Sequence, residues 1–324
     1  MTKIGITGGC GYVGSRLALT LFEKGYNVYV IDKATPKERN LKFPSKIKYR
    51  KADLTNYSQA EKSLSGIDVI VHLAANMGPL LYMEKYQADI LRENCAIDSN
   101  VYPIATKNKV RALIYSSSSM VFQHPLKFPY KEEDITKINP PTNIYGFSKL
   151  VGEYFCRAYN KQYGLDYVII RYHNIYGPGE DSKGSNIEDV HVIPSLLKKI
   201  LIKKQYPLEL LGNPESTRPF VYIDDAVEAT SLIVERAIKG DKKILNNDFN
   251  IATQKHIKIK DLAEMLWNMF EKRPFKYKIV DTHAITAKRR EVDTTKIKEI
   301  LRWKPKTDLK TGIKKTADWI LEIY

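Results

Sequence analysis

Tyr145 and Lys149 stand four residues apart in Tyr145-Gly146-Phe147-Ser148-Lys149, so on a helix they share one face. A free phenol titrates near pKa ~10 and is a poor base at neutral pH. An ammonium a few ångströms away stabilises the phenolate. The pair then becomes a general base able to take the proton of an alcohol. Tyr-x-x-x-Lys is a common spacing and says little alone. A further hydroxyl source lies upstream, in Tyr115-Ser116-Ser117-Ser118-Ser119-Met120-Val121-Phe122. That run closes a β-prone stretch, and the carboxyl ends of parallel strands are where ligands bind. A serine there can hydrogen-bond both a substrate oxygen and the tyrosine; as a bare run it reads equally as a loop.

An alcohol that loses a proton and a hydride needs a hydride acceptor. Thr7-Gly8-Gly9-Cys10-Gly11-Tyr12-Val13-Gly14 offers a place for one. Gly9, Gly11 and Gly14 satisfy G-x-G-x-x-G between a strand and a helix. These glycines allow a tight turn, close approach of the backbone to a pyrophosphate, and packing of the helix on the strand. The helix N-terminus adds free N–H groups and partial positive charge. The next apolar run ends at Asp32. A carboxylate there accepts hydrogen bonds from a ribose 2′-OH and repels a 2′-phosphate, which favours NAD over NADP. The other reading of Asp32 is a turn residue after a strand. Asp53-Leu54 follows a third strand; the acid either meets the adenine amino group or caps the next helix.

These groups need a frame. Lys3–Thr7, Asn27–Ile31, Ile47–Arg50, Val69–Leu73, Ala112–Ser116 and Tyr167–Arg171 read as strands, with helical periodicity over Ser15–Lys24 and Ser58–Leu64. Such alternation predicts a doubly wound parallel α/β sheet covered on both faces. After Gly177-Pro178-Gly179 the pattern changes. A long loop at Glu180–Asp189, helices at His191–Lys204, Asp225–Lys239 and Ile259–Lys272, and a Pro-rich turn at Asn213–Pro219 predict a smaller, mainly helical lobe. The expected division is 1–175 for the cofactor, with about 218–240 returning to it, and 176–324 for the substrate.

The 324 residues carry a formal charge of +15. That balance attracts anions or reflects spread, solvated lysines; aromatics do not interleave with a basic stripe as in RNA-binding proteins. Cys10, Cys95 and Cys156 are scattered, which argues against a disulfide framework or zinc site. Cys10 reads as a small loop filler or as a redox switch. No apolar window suits a membrane span, and the start reads directly into a strand rather than a signal peptide. The expected address is cytoplasmic, with no nucleic acid and no membrane as partners.

Taken together, the chain resembles the extended short-chain dehydrogenase/reductases, in particular the nucleotide-sugar epimerase/dehydratase group. The glycine loop, Asp53-Leu54, His72-Leu73-Ala74-Ala75, the serine run and Tyr145–Lys149 carry the resemblance. So do Arg171-Tyr172-His173-Asn174-Ile175-Tyr176-Gly177-Pro178-Gly179, Arg218-Pro219-Phe220-Val221-Tyr222-Ile223-Asp224-Asp225 and Trp303-Lys304-Pro305. The resemblance implies a Rossmann fold and a catalytic set of Ser118, Tyr145 and Lys149. It implies NAD held by Gly8, Gly11, Tyr12, Val13 and Gly14, by Asp32, Asp53 and Leu54, and by Leu73, Ala74, Ala75 and Asn94, with Tyr145 and Lys149. It implies a UDP- or GDP-linked sugar met by Met77, Ser118, Ser119 and Met120. Asn174, Arg218 and one of Arg289 or Arg290, with Arg290 preferred, would hold the diphosphate. A homodimer through helices near Asp89–Asn108 and Tyr145–Tyr163 is implied as well.

Departures from the family pattern narrow the reaction. Its dehydratases carry Asp-Glu immediately after the catalytic hydroxyl; here stand Ser119 and Met120. Members resembling fucose synthases or 3,5-epimerases carry a cysteine where Met120 stands. A 4-epimerase needs only the tyrosine and a ketone free to rotate, and is the leading reading. A C4 dehydrogenase or keto-sugar reductase is the alternative, and a non-catalytic NAD- or RNA-binding relative a third. Asn76–Tyr82 resembles the mannose-epimerase branch more than common galactose epimerases and leaves the sugar open. His173 and His191 lie near the expected sugar pocket, whereas His72 reads as structural.

Overall fold

The computed structural model describes residues 2–180, 190–281 and 287–324. Most of the loop expected at Glu180–Asp189 therefore lies outside the described residues.

The first half mostly alternates strands and helices. It runs β1 (Lys3–Thr7), α1 (Tyr12–Glu23), β2 (Asn27–Asp32), β3 (Lys48–Lys51), α2 (Tyr57–Leu64), β4 (Val69–His72), α3 (Leu80–Lys85), α4 (Gln87–Lys107), β5 (Ala112–Ser118), α5 (Ile144–Tyr163) and β6 (Tyr167–Tyr172). The six expected strands are these. A seventh, β11 (Asn247–Ile251), comes from far downstream, and the parallel order is β11-β6-β5-β4-β1-β2-β3. The order reverses between β1 and β4, the place where such sheets bind nucleotides beyond their carboxyl ends.

Alternation of side chains explains the two covered faces. Ile4, Ile6, Val28, Val30, Val69 and Val71 pack beneath Leu17, Ala18 and Leu21 of α1. Ile31, Ile70, Leu113 and Ile169 face Val101, Tyr102 and Ala105 of α4. Gly152 on α5 admits Tyr115: an added Cβ would lie 1.9 Å from its hydroxyl.

The remaining elements are β7 (Ile175–Tyr176), α6 (Val192–Leu197), β8 (Leu208–Leu211), β9 (Thr217–Pro219), β10 (Val221–Tyr222), α7 (Ile223–Ile238), β12 (His256–Lys258), α8 (Ile259–Phe270), β13 (Tyr277–Val280), α9 (Thr295–Leu301) and α10 (Leu309–Ile323). The helix expected at His191–Lys204 is α6 followed by a wider turn over Lys198–Ile202. α7 lies against α1, burying Ala226, Ile233 and Val234 in the same core. The mainly helical C-terminal region also contains the short pairs β7–β10, β9–β12 and β8–β13. Among the described residues no helix is long and apolar enough to cross a membrane.

Candidate active site

A cleft of about 1160 Å³ runs along the carboxyl edge of the sheet and on between the C-terminal elements. Its sheet end is the glycine loop. Gly8 has φ +66, and a Cβ there would meet Ala74 N at 2.8 Å. A Cβ on Gly14 would lie 2.3 Å from Gly8 O. The loop closes through Gly11 N to Gly8 O at 2.9 Å. α1 starts at Tyr12 with no side chain capping it, which leaves its first-turn N–H groups for an anion. Asp32 accepts from Cys10 N and Ala34 N, both at 2.9 Å. Each oxygen keeps a lone pair for ribose hydroxyls. Burial pushes the Cys10 thiol up to about 12, which favours the small-filler reading.

Val13, Leu54, Leu73, Ala74 and Ala75 complete this wall of the cleft. Asp53 also lines it, and Oδ1 accepts from Thr55 N at 2.9 Å and Thr55 Oγ1 at 2.7 Å. It is a turn former, not the helix cap; Asn56 caps α2. Asn94 sits behind the wall. Its side chain accepts from Asn76 N at 2.6 Å and donates to Asn76 O at 3.1 Å and Ser148 Oγ at 3.0 Å. It thus steadies the segment leading to Met77 rather than facing the cleft. A glycine cradle, an uncapped helix start and an acid at the end of β2 fit a dinucleotide.

Ser118 ends β5, and Tyr145 opens α5, whose start is capped by Asn143. Both line the cleft with Met77, Ser119 and Met120. Burial pushes the Tyr145 phenol well above its ordinary value, and a hydrogen bond with the Ser118 hydroxyl draws it back. Met77 Sδ lies 3.7 Å from the phenol oxygen. Lys149 is one turn further along α5, buried, with its ammonium 5.0 Å from the Tyr115 ring centroid. Burial lowers it to about 8, opposed by Asp98. Ser118 is thus a group that lowers Tyr145, and Asp98 a charge that raises Lys149, which stands one turn along α5 from the phenol. Desolvation dominates both residues because apolar packing encloses them.

Deeper in the cleft, Asn174 has φ 41 and donates Nδ2 to Pro219 O at 2.9 Å. Arg218 and Arg290 line the same region, and among the described residues neither pairs with a carboxylate. Arg218 Nη1 donates to Thr217 O, and Arg290 Nη1 to Ser119 Oγ at 3.3 Å, while Arg290 Nε has no partner among the described residues. Burial, then repulsion from Arg290, pulls Arg218 down to about 9. Two desolvated cations without a counter-charge form an anion site. Arg289 instead turns outward, paired with Glu291 and stacked over Phe128. Chain pairing of Tyr130 with Val292 fixes which arginine faces in. His173 is buried, stacked on Tyr130 and held low at about 3 by desolvation, away from the cleft. His191 lines the cleft, bonded to Glu180. His72 bridges Thr7 and Asp98 inside the sheet.

Sequence reasoning missed Glu153 and gave Arg171 no role, yet the two form a buried ion pair beneath the serine run. A charged residue inside the apolar strand Tyr167–Tyr172 was the available signal.

A doubly wound sheet, a dinucleotide cradle and a Ser-Tyr-Lys set define a short-chain dehydrogenase type of enzyme. The model of the NAD dependent epimerase/dehydratase family matches residues 4–252, and the chain belongs to that family. It is 31% identical to a Methanocaldococcus jannaschii protein named "Putative UDP-glucose 4-epimerase", over 97% of each chain. It is 28% identical to GDP-mannose 3,5-epimerase of Arabidopsis thaliana, over 99% of this chain and 82% of that one. Among solved structures, UDP-glucuronic acid 4-epimerase of Bacillus cereus, in complex with UDP-glucuronic acid and NAD, superposes with TM-score 0.85 at 26% identity over 100% of both chains. The protein is an NAD-dependent enzyme of the nucleotide-sugar epimerases and oxidoreductases, within the extended short-chain dehydrogenase group.

Proposed function

We propose that the enzyme epimerises a UDP- or GDP-linked sugar at C4 through a 4-keto sugar. Tyr145 takes and returns the hydroxyl proton, with Ser118 as its hydrogen-bonding partner and Lys149 beneath it. NAD, when bound, would supply the hydride acceptor and donor. Gly8, Gly11, Tyr12, Val13, Gly14 and Asp32 would hold the cofactor, with Asp53, Leu54, Leu73, Ala74 and Ala75 beside its adenine and ribose parts. Asn174, Arg218 and Arg290 would grip the diphosphate.

The observation that carries this reading is what surrounds the phenol. Ser118 is followed by Ser119, which accepts from Arg290, and by Met120, while Met77 Sδ touches Tyr145. Neither the acid pair of a dehydratase nor the thiol of a 3,5-epimerase stands there, so Tyr145 is the proton carrier beside the reacting carbon. The 4-epimerase names among the relatives support the same reaction.

We infer, too, that the enzyme is a homodimer through α4 and α5. Tyr154 and Tyr163 on α5 are 62% and 56% exposed and would be covered in such a dimer.

The test is incubation of purified enzyme with a panel of UDP- and GDP-sugars without added NAD. Interconversion of C4 stereoisomers is expected. Stoichiometric NADH with a released keto-sugar would assign the C4 dehydrogenase activity instead.

A further inference from the structure

Glu153 lies four residues after Lys149 and eight after Tyr145, so α5 presents all three on one face. Its carboxylate is fully buried, as is the Arg171 guanidinium on β6. Arg171 Nε donates to Glu153 Oε1 at 2.7 Å and Nη2 to Oε2 at 2.7 Å. Nη2 also donates to Asp248 Oδ2 on β11 at 2.8 Å, and Lys296 of α9 donates to Asp248 Oδ1 at 2.7 Å. Arg157, one turn further along α5, also donates Nη2 to Glu153 Oε2 at 3.2 Å. A further contact points at the chemistry: Ser117 Oγ donates to Glu153 Oε1 at 2.7 Å. Ser117 directly precedes Ser118.

We propose that Glu153 and Arg171 are positioning residues for proton transfer, holding through Ser117 the strand end that carries Ser118 against the helix that carries Tyr145. The proposal rests on Tyr145 being the proton carrier. Successive strand residues point to opposite sides, so anchoring the Ser117 hydroxyl on α5 presents the Ser118 hydroxyl to the cleft. A fork-to-carboxylate contact fixes an angle as well as a distance. Apolar residues of similar volume would bury equally well, and buried ion pairs are poor sources of stability. What the charges add here is direction, at the contact between β5 and α5 that adjoins Ser118. A shift of about 1 Å at such a contact is enough to cost about 100-fold in rate. The Ser118 bond also lowers the phenol, so loosening the clamp raises the pH needed for the base.

Ser117→Ala removes the strand's half of the contact and leaves no buried charge unpaired; Glu153→Gln keeps the shape and removes the charge. Both are measured as NAD-loaded full chains, with turnover per bound NAD followed on the panel sugar that the wild type converts fastest. Expected are a kcat lower by about 10-fold for Ser117→Ala and about 100-fold for Glu153→Gln, a KM within about twofold, and an acid limb of kcat displaced to higher pH. The double variant should be no slower than Glu153→Gln alone. Wild-type kcat with an unmoved pH profile overturns the proposal, whatever the melting temperature does; so do losses that add in the double variant. Should Glu153→Gln fail to fold, Ser117→Ala decides by the same criteria. Tyr145→Phe runs in parallel: if it keeps turnover, the reading of the site has failed and this proposal with it; if it abolishes turnover while Ser117→Ala does nothing, the clamp alone has failed.

Discussion

A phenol enclosed by protein is a weaker acid than one in water, and Tyr145 is held in that state by its burial. The side chain therefore keeps its proton at rest, and any proton it moves must be matched by charge arriving in the cleft. Tyr145→Phe removes the carrier while preserving the ring. We expect kcat to fall by about 10³-fold, within the range of general acid–base effects, with NAD content per chain unchanged by absorbance after denaturation. The arginines separate differently. Arg290 faces the cleft with an unpartnered Nε, and Arg289 pairs with Glu291 at the surface. Arg290→Ala should raise KM for the nucleotide sugar by about 10- to 100-fold, the worth of one charged hydrogen bond. Arg289→Ala should leave KM within about twofold, and the reverse pattern would exchange their assignments.

The glycine loop and α1 act as one element. Gly14 brings the helix so close to Gly8 that a methyl group would sit 2.3 Å from its carbonyl oxygen. Gly14→Ala must therefore push α1 off the strand end, and we expect the purified protein to lose bound NAD and, with it, the stabilisation that ligand gives. Retention of stoichiometric NAD would show that the loop has slack the geometry does not display. At this scale much could be read in advance. β1, β2, β4, β5 and β6 are short apolar runs that bury both faces, and their length and β-branched content mark them as strands. β11 escaped because Asn247, Asp248 and Asn250 interrupt its apolar character. Those polar positions are occupied by partners from other elements: Arg171 and Lys296 reach Asp248, and Glu132 accepts from Asn250 N. Local pattern is silent about a strand whose polarity is satisfied at long range. For the same reason the Tyr-x-x-x-Lys spacing could be seen while its electrostatics could not. The groups that surround the pair, Ser118 at Tyr145 and Asp98 and Tyr115 at Lys149, are brought near only by folding.

The whole molecule joins its two ends through buried polar chemistry, and that sets how it responds to pH. Tyr130 pairs with the Glu291–Asp293 segment, His173 stacks on Tyr130, and Nε2 of His173 meets Asn250 Oδ1 at 3.4 Å. Around that imidazole stand Arg171 and Arg290, both cationic, and among the described residues no acid is bonded to it. Desolvation, and then these arginines, hold His173 down at about 3 against the hydrogen bond to Asn250. The unfolded chain binds a proton there near pH ~6.5 and the folded chain does not. Between about pH 6.5 and 3 the unfolded state therefore carries the extra proton, so stability rises with pH across that window and falls as the solution is acidified. The slope from this one group approaches about 1.4 kcal/mol per pH unit in the middle of the window. Partly buried carboxylates such as Asp248, kept near 2 by Arg171 and Lys296 although desolvation opposes them, add their own loss only at lower pH. His173→Phe keeps an aromatic ring against Tyr130 and cannot take up a proton. Denaturant unfolding followed from pH 7 to 5 should show the wild type losing stability and the variant losing about one proton's worth less per pH unit, even where its stability at pH 7 is lower. Equal slopes would mean that His173 titrates alike in both states and that the acid response of the fold originates elsewhere.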